Sequence, residues 1–455
     1  MIQLTAATLP ILASLILAVL AAAWTLLLRR RSAELLPMAL FFSSGSAFLL
    51  ALVVEFTIRA DWREYVVVAQ YPLVVVAFCA LAAAAHAQPD PAAARERRLI
   101  RGIAVTSATA TIVYAGVLMA TRTPFVLRKA TELHLQVLMV VVLISFLFAL
   151  TALLRGAQRH AATLGVRAWQ ALCSPPAGLA RLWRNMALAL LIPMLMGIAT
   201  LLRNLELLSS YGMHLVLGLG AISFVATMTG SLATAWGIAW PAIARRRLLV
   251  ATAVLALWGC VTTVAGETVE RAVIEAGLAD GLASRALIDQ HGTDNAAILA
   301  ADLPEDVVYI FRRWPGRALI VSRERDFPLM AMLDDRATLD HILTQRSASS
   351  LVRNNPALSR DQALAQSRLI NPQSRITHQV NIFLDSAQQR YIVVRFGLDG
   401  AIYEVGFSFQ AERQEIHAAL LPFALGTVAI GLLLGGEALI AAYRGVPRLI
   451  LPHGR

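Results

Sequence analysis

The distribution of apolar stretches constrains this chain more than any motif in it. Eight apolar spans end near Gly266, a mostly polar segment covers residues 268–416, and a ninth span begins near Leu420. A hydrocarbon core of ~30 Å needs roughly 20 consecutive apolar residues per helix. That rule predicts helices over residues 7–28, 35–57, 65–87, 102–120, 132–154, 185–203, 212–240, 248–266 and 420–443. The seventh is long enough to tilt or to break at Gly230. Hydrophobic residues make up 58% of the chain and its mean hydropathy is +0.64, which excludes an ordinary soluble domain. The first span is expected to be retained rather than cleaved, because the charges of Arg29–Arg31 follow the apolar stretch instead of preceding it.

Basic residues orient the chain. One set of alternate loops, with the tail, holds 18 Arg, among them Arg29–Arg31, Arg95–Arg101, Arg155–Arg184 and Arg245–Arg247. The opposite short loops hold 6 Arg and Lys residues. Basic loops stay cytoplasmic. The expected arrangement is an amino terminus outside, a carboxyl terminus inside and the polar insert outside. The net charge of +11 is not a nucleic-acid footprint: the insert has 16 Arg against 19 acidic residues, so the excess belongs to the membrane part and faces anionic lipid. Arg outnumbers Lys 39 to 1, which suggests a GC-rich bacterial genome and hence an inner-membrane location. Cys79, Cys173 and Cys260 all lie outside the insert, so the insert is expected to hold together without a disulfide.

The division is therefore 1–266, an eight-helix membrane domain; 267–416, an extracytoplasmic α/β domain; 417–443, the ninth helix; and 444–455, a cytoplasmic tail. The cytoplasmic loop 155–184 carries Pro175-Pro176, Arg181, Trp183 and Arg184, and reads as an amphipathic segment on the inner leaflet. Within the insert, helical spacing of Val269, Val273, Leu278 and Leu282 continues the eighth span outward through residues 268–290. Strand-like runs follow at Asp306–Arg313 and Arg317–Arg323, with turn chemistry at Trp314-Pro315-Gly316 between them. Residues 328–370 read as helices and loops. Three more strands are expected at Arg375–Asp385, Arg390–Leu398 and Ala401–Gln410, the last two joined by the hairpin dipeptide Asp399-Gly400.

This order of long helix, two strands, helical segment and three strands returning to the membrane resembles the extracytoplasmic CACHE or PAS-like sensor domains of bacterial membrane receptors. The resemblance covers the insert and rests on element order, and a fold hosts many functions. It implies a ligand pocket between sheet and covering helices. The strand residues suited to line one are Tyr309, Arg312, Arg323, Arg325, Tyr391, Arg395 and Tyr403, since guanidinium forks favour a small anionic ligand. The competing reading is a solvated face whose arginines pair with neighbouring Asp and Glu. Ser349, His341 and Asp340 form no hydrolase signature, so no enzyme activity, metal or cofactor is expected.

In the membrane part, Gly431 and Gly435, extended by Gly426, give the ninth span a small-residue face. It serves either a homodimer seam or packing on the chain's own helices. Glu437 is the clearest acid within a span, read as a packing hydrogen bond or a residue near the inner interface. His134 and His214 read as hydrated interfacial histidines. Only about a dozen residues follow the ninth span, so signal output is expected from a separate cytoplasmic partner or from a longer receptor of which this chain is part. A transporter subunit and a non-catalytic scaffold of an envelope complex are the alternatives. A reporter enzyme fused after Arg455 should be active only if it is one that works in the cytoplasm; activity of an exported reporter at that position would invert the topology.

Overall fold

The computed structural model describes residues 4–28, 35–57, 63–87, 94–121, 133–204, 208, 210–235, 242–291, 302–304, 307–314, 318–322, 383–384, 390–398, 401–408 and 410–444. Among them, nine helices are long and apolar enough to cross a membrane, and the chain is a multi-pass membrane protein. The helices are α1 (Thr8–Leu28), α2 (Leu35–Thr57), α3 (Arg63–Ala84), α4 (Ala94–Thr121), α5 (Leu133–Ala162), the short α6 (Ala168–Cys173), α7 (Leu179–Ala189), α8 (Leu191–Asn204), α9 (Ser210–Ala235) and α10 (Ala242–His291). After the sheet come α11 (Gln410–Ile430), a π-helical turn (Gly431–Gly435) and α12 (Gly436–Arg444), which together form the ninth span.

Several helices outrun the apolar pattern. The fourth begins at Ala94 and the fifth ends at Ala162, about two turns beyond the sequence expectation at each end. A hydropathy window registers the hydrocarbon-embedded part alone, whereas the helix continues where Arg and Glu side chains reach the headgroup region. The sixth span is interrupted at Leu190, between α7 and α8. Pro193 follows in the next turn and offers no N–H to the carbonyl of Ala189, so a continuous helix would leave that carbonyl unbonded. The seventh span runs unbroken through Gly230. The segment 155–184 is shared among the end of α5, α6 and the start of α7, and Trp183 is fully buried.

The membrane unit (1–198, 214–266 and 420–455) has one main core. Trp24, Met38, Leu81, Leu153, Trp183, Met186, Leu232, Leu248 and Ala438 form a buried cluster that joins α1, α2, α3, α5, α7, α9, α10 and α12. The glycines of the ninth span face the chain's own helices. A Cβ at Gly431 would stand 2.6 Å from Ile16 Cγ2, one at Gly435 2.5 Å from Leu20 Cδ2, and one at Gly426 3.0 Å from the Trp258 ring. Beside Gly426, Trp258 Nε1 donates to Thr427 Oγ1 at 2.9 Å, and the same hydroxyl donates to the Phe423 carbonyl at 2.8 Å. Ring, hydroxyl and glycine thus lock the eighth and ninth spans at one level.

The second unit (199–213 and 267–419) holds an antiparallel sheet of β1 (Val307–Trp314), β2 (Ala318–Ser322), β3 (Phe383–Leu384), β4 (Arg390–Leu398) and β5 (Ala401–Ser408). Their order is β2-β1-β5-β4-β3. Leu398 pairs with Ala401, so β4 and β5 form a hairpin with two intervening residues. Val307, Ile310, Phe311, Val405 and Phe407 are buried and form the heart of the sheet. The expected turn at residues 315–316, the helices at 328–370, most of the third strand and the tail beyond Arg444 lie outside the described residues.

Helix contact at the small residues gives a direct test. Gly431→Leu should lower stability by about 1–3 kcal/mol, because Ile16 cannot withdraw without moving α1. Gly116→Leu, at a position with nothing within 4 Å of the added Cβ, should change it by less than about 0.5 kcal/mol. Thermal unfolding of the purified chain in one detergent distinguishes the two.

Candidate functional site

The residues expected to line a ligand pocket divide between the two alternations of the sheet. Tyr309 is registered opposite Gly406, Tyr391 opposite Ser408, and Arg395 opposite Glu404, which in turn faces Phe311. Side-chain direction alternates along a strand, so positions 309, 391 and 395 share one alternation. Arg312 and Tyr403 are opposite each other and belong to the other. Tyr309 is fully buried with its ring across Gly406, where any Cβ would overlap it. It is a core residue. Tyr403 is buried too, and Arg312 is half-buried with its Nε enclosed and without a hydrogen-bond partner. Arg323 and Arg325 lie outside the described residues. Arg312 and Tyr403 thus share one alternation, while position 395 belongs to the opposite one.

A dense polar constellation among the described residues of the membrane unit is one that sequence reading passed over. His86 follows α3 in a turn. Glu96 sits in the first turn of α4, where a carboxylate suits the positive end of the helix dipole. Arg155 and Arg159 lie one turn apart on α5. Glu96 gathers all three: Oε2 is paired with Arg159 Nη2, Oε1 lies 3.4 Å from Arg155 Nη1, and Oε1 is 3.5 Å from His86 Nε2. Burial falls outward through the group. The His86 side chain is 0% exposed, Arg159 23%, Glu96 31% and Arg155 65%. Close approach of α5 makes this possible. A Cβ at Gly156 would lie 3.1 Å from both Cβ and the carbonyl oxygen of Ala85 and 3.5 Å from Trp183.

The chemistry of His86 follows from its two nitrogens. Nδ1 faces the Ala82 carbonyl at 3.3 Å. A carbonyl only accepts, so the proton of a neutral ring belongs on Nδ1. Nε2 then presents a lone pair to the Glu96 carboxylate, and it has no hydrogen-bond partner. Burial pushes the imidazole below its ordinary range, and the Arg159 charge adds to that; the Ala82 carbonyl and Glu96 act the other way. Protonation would turn Nε2 into a donor toward Glu96, in competition with Arg159. The cluster is thus able to take up a proton and exchange one ion pair for another.

Glu437 does not make a buried packing contact. Its side chain is exposed and lies 3.7 Å from Arg247 Nη1, within the basic run that opens α10. His134, expected to be hydrated, is buried, and its Nε2 has no partner among the described residues. It is enclosed because its neighbours Leu135 and Leu138 pack with Val68, Ala115 and Leu118 of α3 and α4. His214 is exposed. Among the described residues no three His, Cys, Asp or Glu side chains are grouped to hold a metal. No known protein family, no curated protein and no solved structure matches this chain.

His86 links folding to pH with a definite sign. A base whose folded pKa is depressed leaves the unfolded chain binding more protons. Its contribution is fully present above about pH 6.5 and is lost as pH falls from there toward the lower folded value. Thermal unfolding between pH 7.5 and 5.5 should therefore show a decline that His86→Gln reduces. An equal decline in the variant would remove His86 from the titration.

Proposed function

We propose that this chain is a sensor of the bacterial inner membrane, with its amino terminus outside and its carboxyl terminus in the cytoplasm. The extracytoplasmic insert detects a small anionic ligand, and the signal passes to a separate cytoplasmic protein. The observation that carries this reading is the pair of connections to the insert. α10 is one unbroken helix from the eighth span to His291. β5 ends at Ser408 and the helix of the ninth span starts at Gln410. A change within the sheet therefore reaches the ninth-span helix across residue 409 alone, while residues 292–306 lie between α10 and β1.

The membrane end suits a relay. The eighth and ninth spans share the Trp258–Thr427 hydrogen bond. The ninth then passes through the π-helical turn Gly431–Gly435, an irregularity that is frequent at functional positions. Two arrangements of these helices, one favoured by ligand, would give a cytoplasmic partner something to read. The antiparallel order of the sheet supports the resemblance of the insert to CACHE and PAS-like domains. In this reading the chain has no catalytic activity of its own and uses no cofactor.

The test is isolation of the full chain in a gentle detergent, with mass spectrometry of stoichiometric companions. A kinase, cyclase or other regulator is the expected result. Recovery of envelope-assembly components, or of the chain alone, would overturn the sensor assignment.

A further inference from the structure

The exposed face of α4 carries a shallow, open depression lined by Arg98, Leu99, Gly102, Ile103, Thr106 and Ser107. Its residues are graded along the helix. Arg98 stands at one end and is exposed, and among the described residues it has no acidic partner. Glu96, the acid nearest in sequence, is already engaged by Arg155 and Arg159. One turn on, Gly102 leaves the floor open: a Cβ there would meet nothing within 4 Å. Leu99 and Ile103 flank it as exposed apolar side chains, 63% and 41% accessible. At ~1.5 Å per residue, Thr106 lies about 12 Å farther along the axis than Arg98. Arg98, with the exposed Arg95 and Arg101 three residues to either side, and an apolar depression running away from it suit a ligand with an anionic head and an apolar tail.

We propose that this depression holds one anionic phospholipid of the adjoining leaflet, its phosphate on Arg98 and an acyl chain laid over Gly102 between Leu99 and Ile103. The site is more than the general attraction of basic loops for anionic membranes, because it joins one particular charge to one particular hollow. Occupancy would place a lipid within two residues of Glu96, on the helix that supplies the carboxylate of the His86 cluster. The inference needs only the membrane character of the helices and is independent of the sensor reading.

The experiment uses the full chain reconstituted in equimolar phosphatidylglycerol and phosphatidylcholine, then released for native mass spectrometry. The wild type should retain one phosphatidylglycerol per chain in preference to phosphatidylcholine. Arg98→Ala should weaken that retention about fivefold, the loss expected for one basic residue at an anionic surface. Gly102→Leu, which fills the hollow and keeps every charge, should reduce it at least as much while thermal stability in phosphatidylcholine stays unchanged. Arg101→Ala removes an equal charge outside the depression and should have little effect. Equal losses in Arg98→Ala and Arg101→Ala would mean diffuse surface attraction and overturn the proposal. Undiminished retention by Gly102→Leu, or a dimer mass in place of bound lipid, would overturn it as well.

Discussion

A hydrocarbon layer offers no hydrogen-bond partner to a backbone amide, so each segment that enters it must satisfy its own N–H and C=O groups. The long apolar helices are the consequence, and the side chains obey the same constraint. Ser14, Thr25, Ser46, Thr57, Ser145, Thr252 and Thr263 each donate to a carbonyl one turn back in their own helix. Hydroxyls satisfied in this way are poorly placed to join helices. The joining falls to shape, above all to glycines that let α1 meet the ninth span at Ile16 and Leu20, and to a small number of polar bridges. Trp258 to Thr427 is one that works with the rule: the threonine keeps its back-bond to Phe423 and still accepts the indole N–H.

Three further polar bridges among the described residues of the membrane unit involve acidic side chains. Gln70 donates to Glu55, Glu96 collects Arg155 and Arg159, and Glu437 approaches Arg247. A hydrated or paired charge is accommodated at modest cost, whereas an isolated mid-membrane charge is not. His86 is the exception in kind. It is enclosed, carries one nitrogen without a hydrogen-bond partner and faces a carboxylate held by two arginines. Such an arrangement is kept in place by its surroundings, here by the contact of Gly156 with Ala85 and by the buried Trp183.

The elements were largely legible in advance. Nine apolar stretches became nine helices because length and hydropathy nearly decide the matter in a membrane. The strands at 307–314, 390–398 and 401–408 fell where β-rich runs and the Asp399-Gly400 dipeptide pointed. The candidate sites were much less legible. Alternation along a strand is readable, but which of Tyr309 and Arg312 shares an alternation with Tyr403 depends on the register between β1 and β5, which no local pattern announces. The cluster around Glu96 was hidden for a different reason. Its arginines satisfied a topological rule so well that their second role, as partners of one acid and one histidine, left no separate trace.

Composition and hydropathy by themselves determined that this chain is a multi-pass membrane protein whose apolar spans are interrupted by a polar insert, since burying or exposing apolar surface dominates every other term at that scale. Which glycine meets which helix, whether His86 faces water or a carboxylate, and where Arg98 finds a hollow beside it were decided only by the tertiary structure. Those outcomes depend on helix rotation and approach to within an ångström, and one-dimensional patterns do not carry that information.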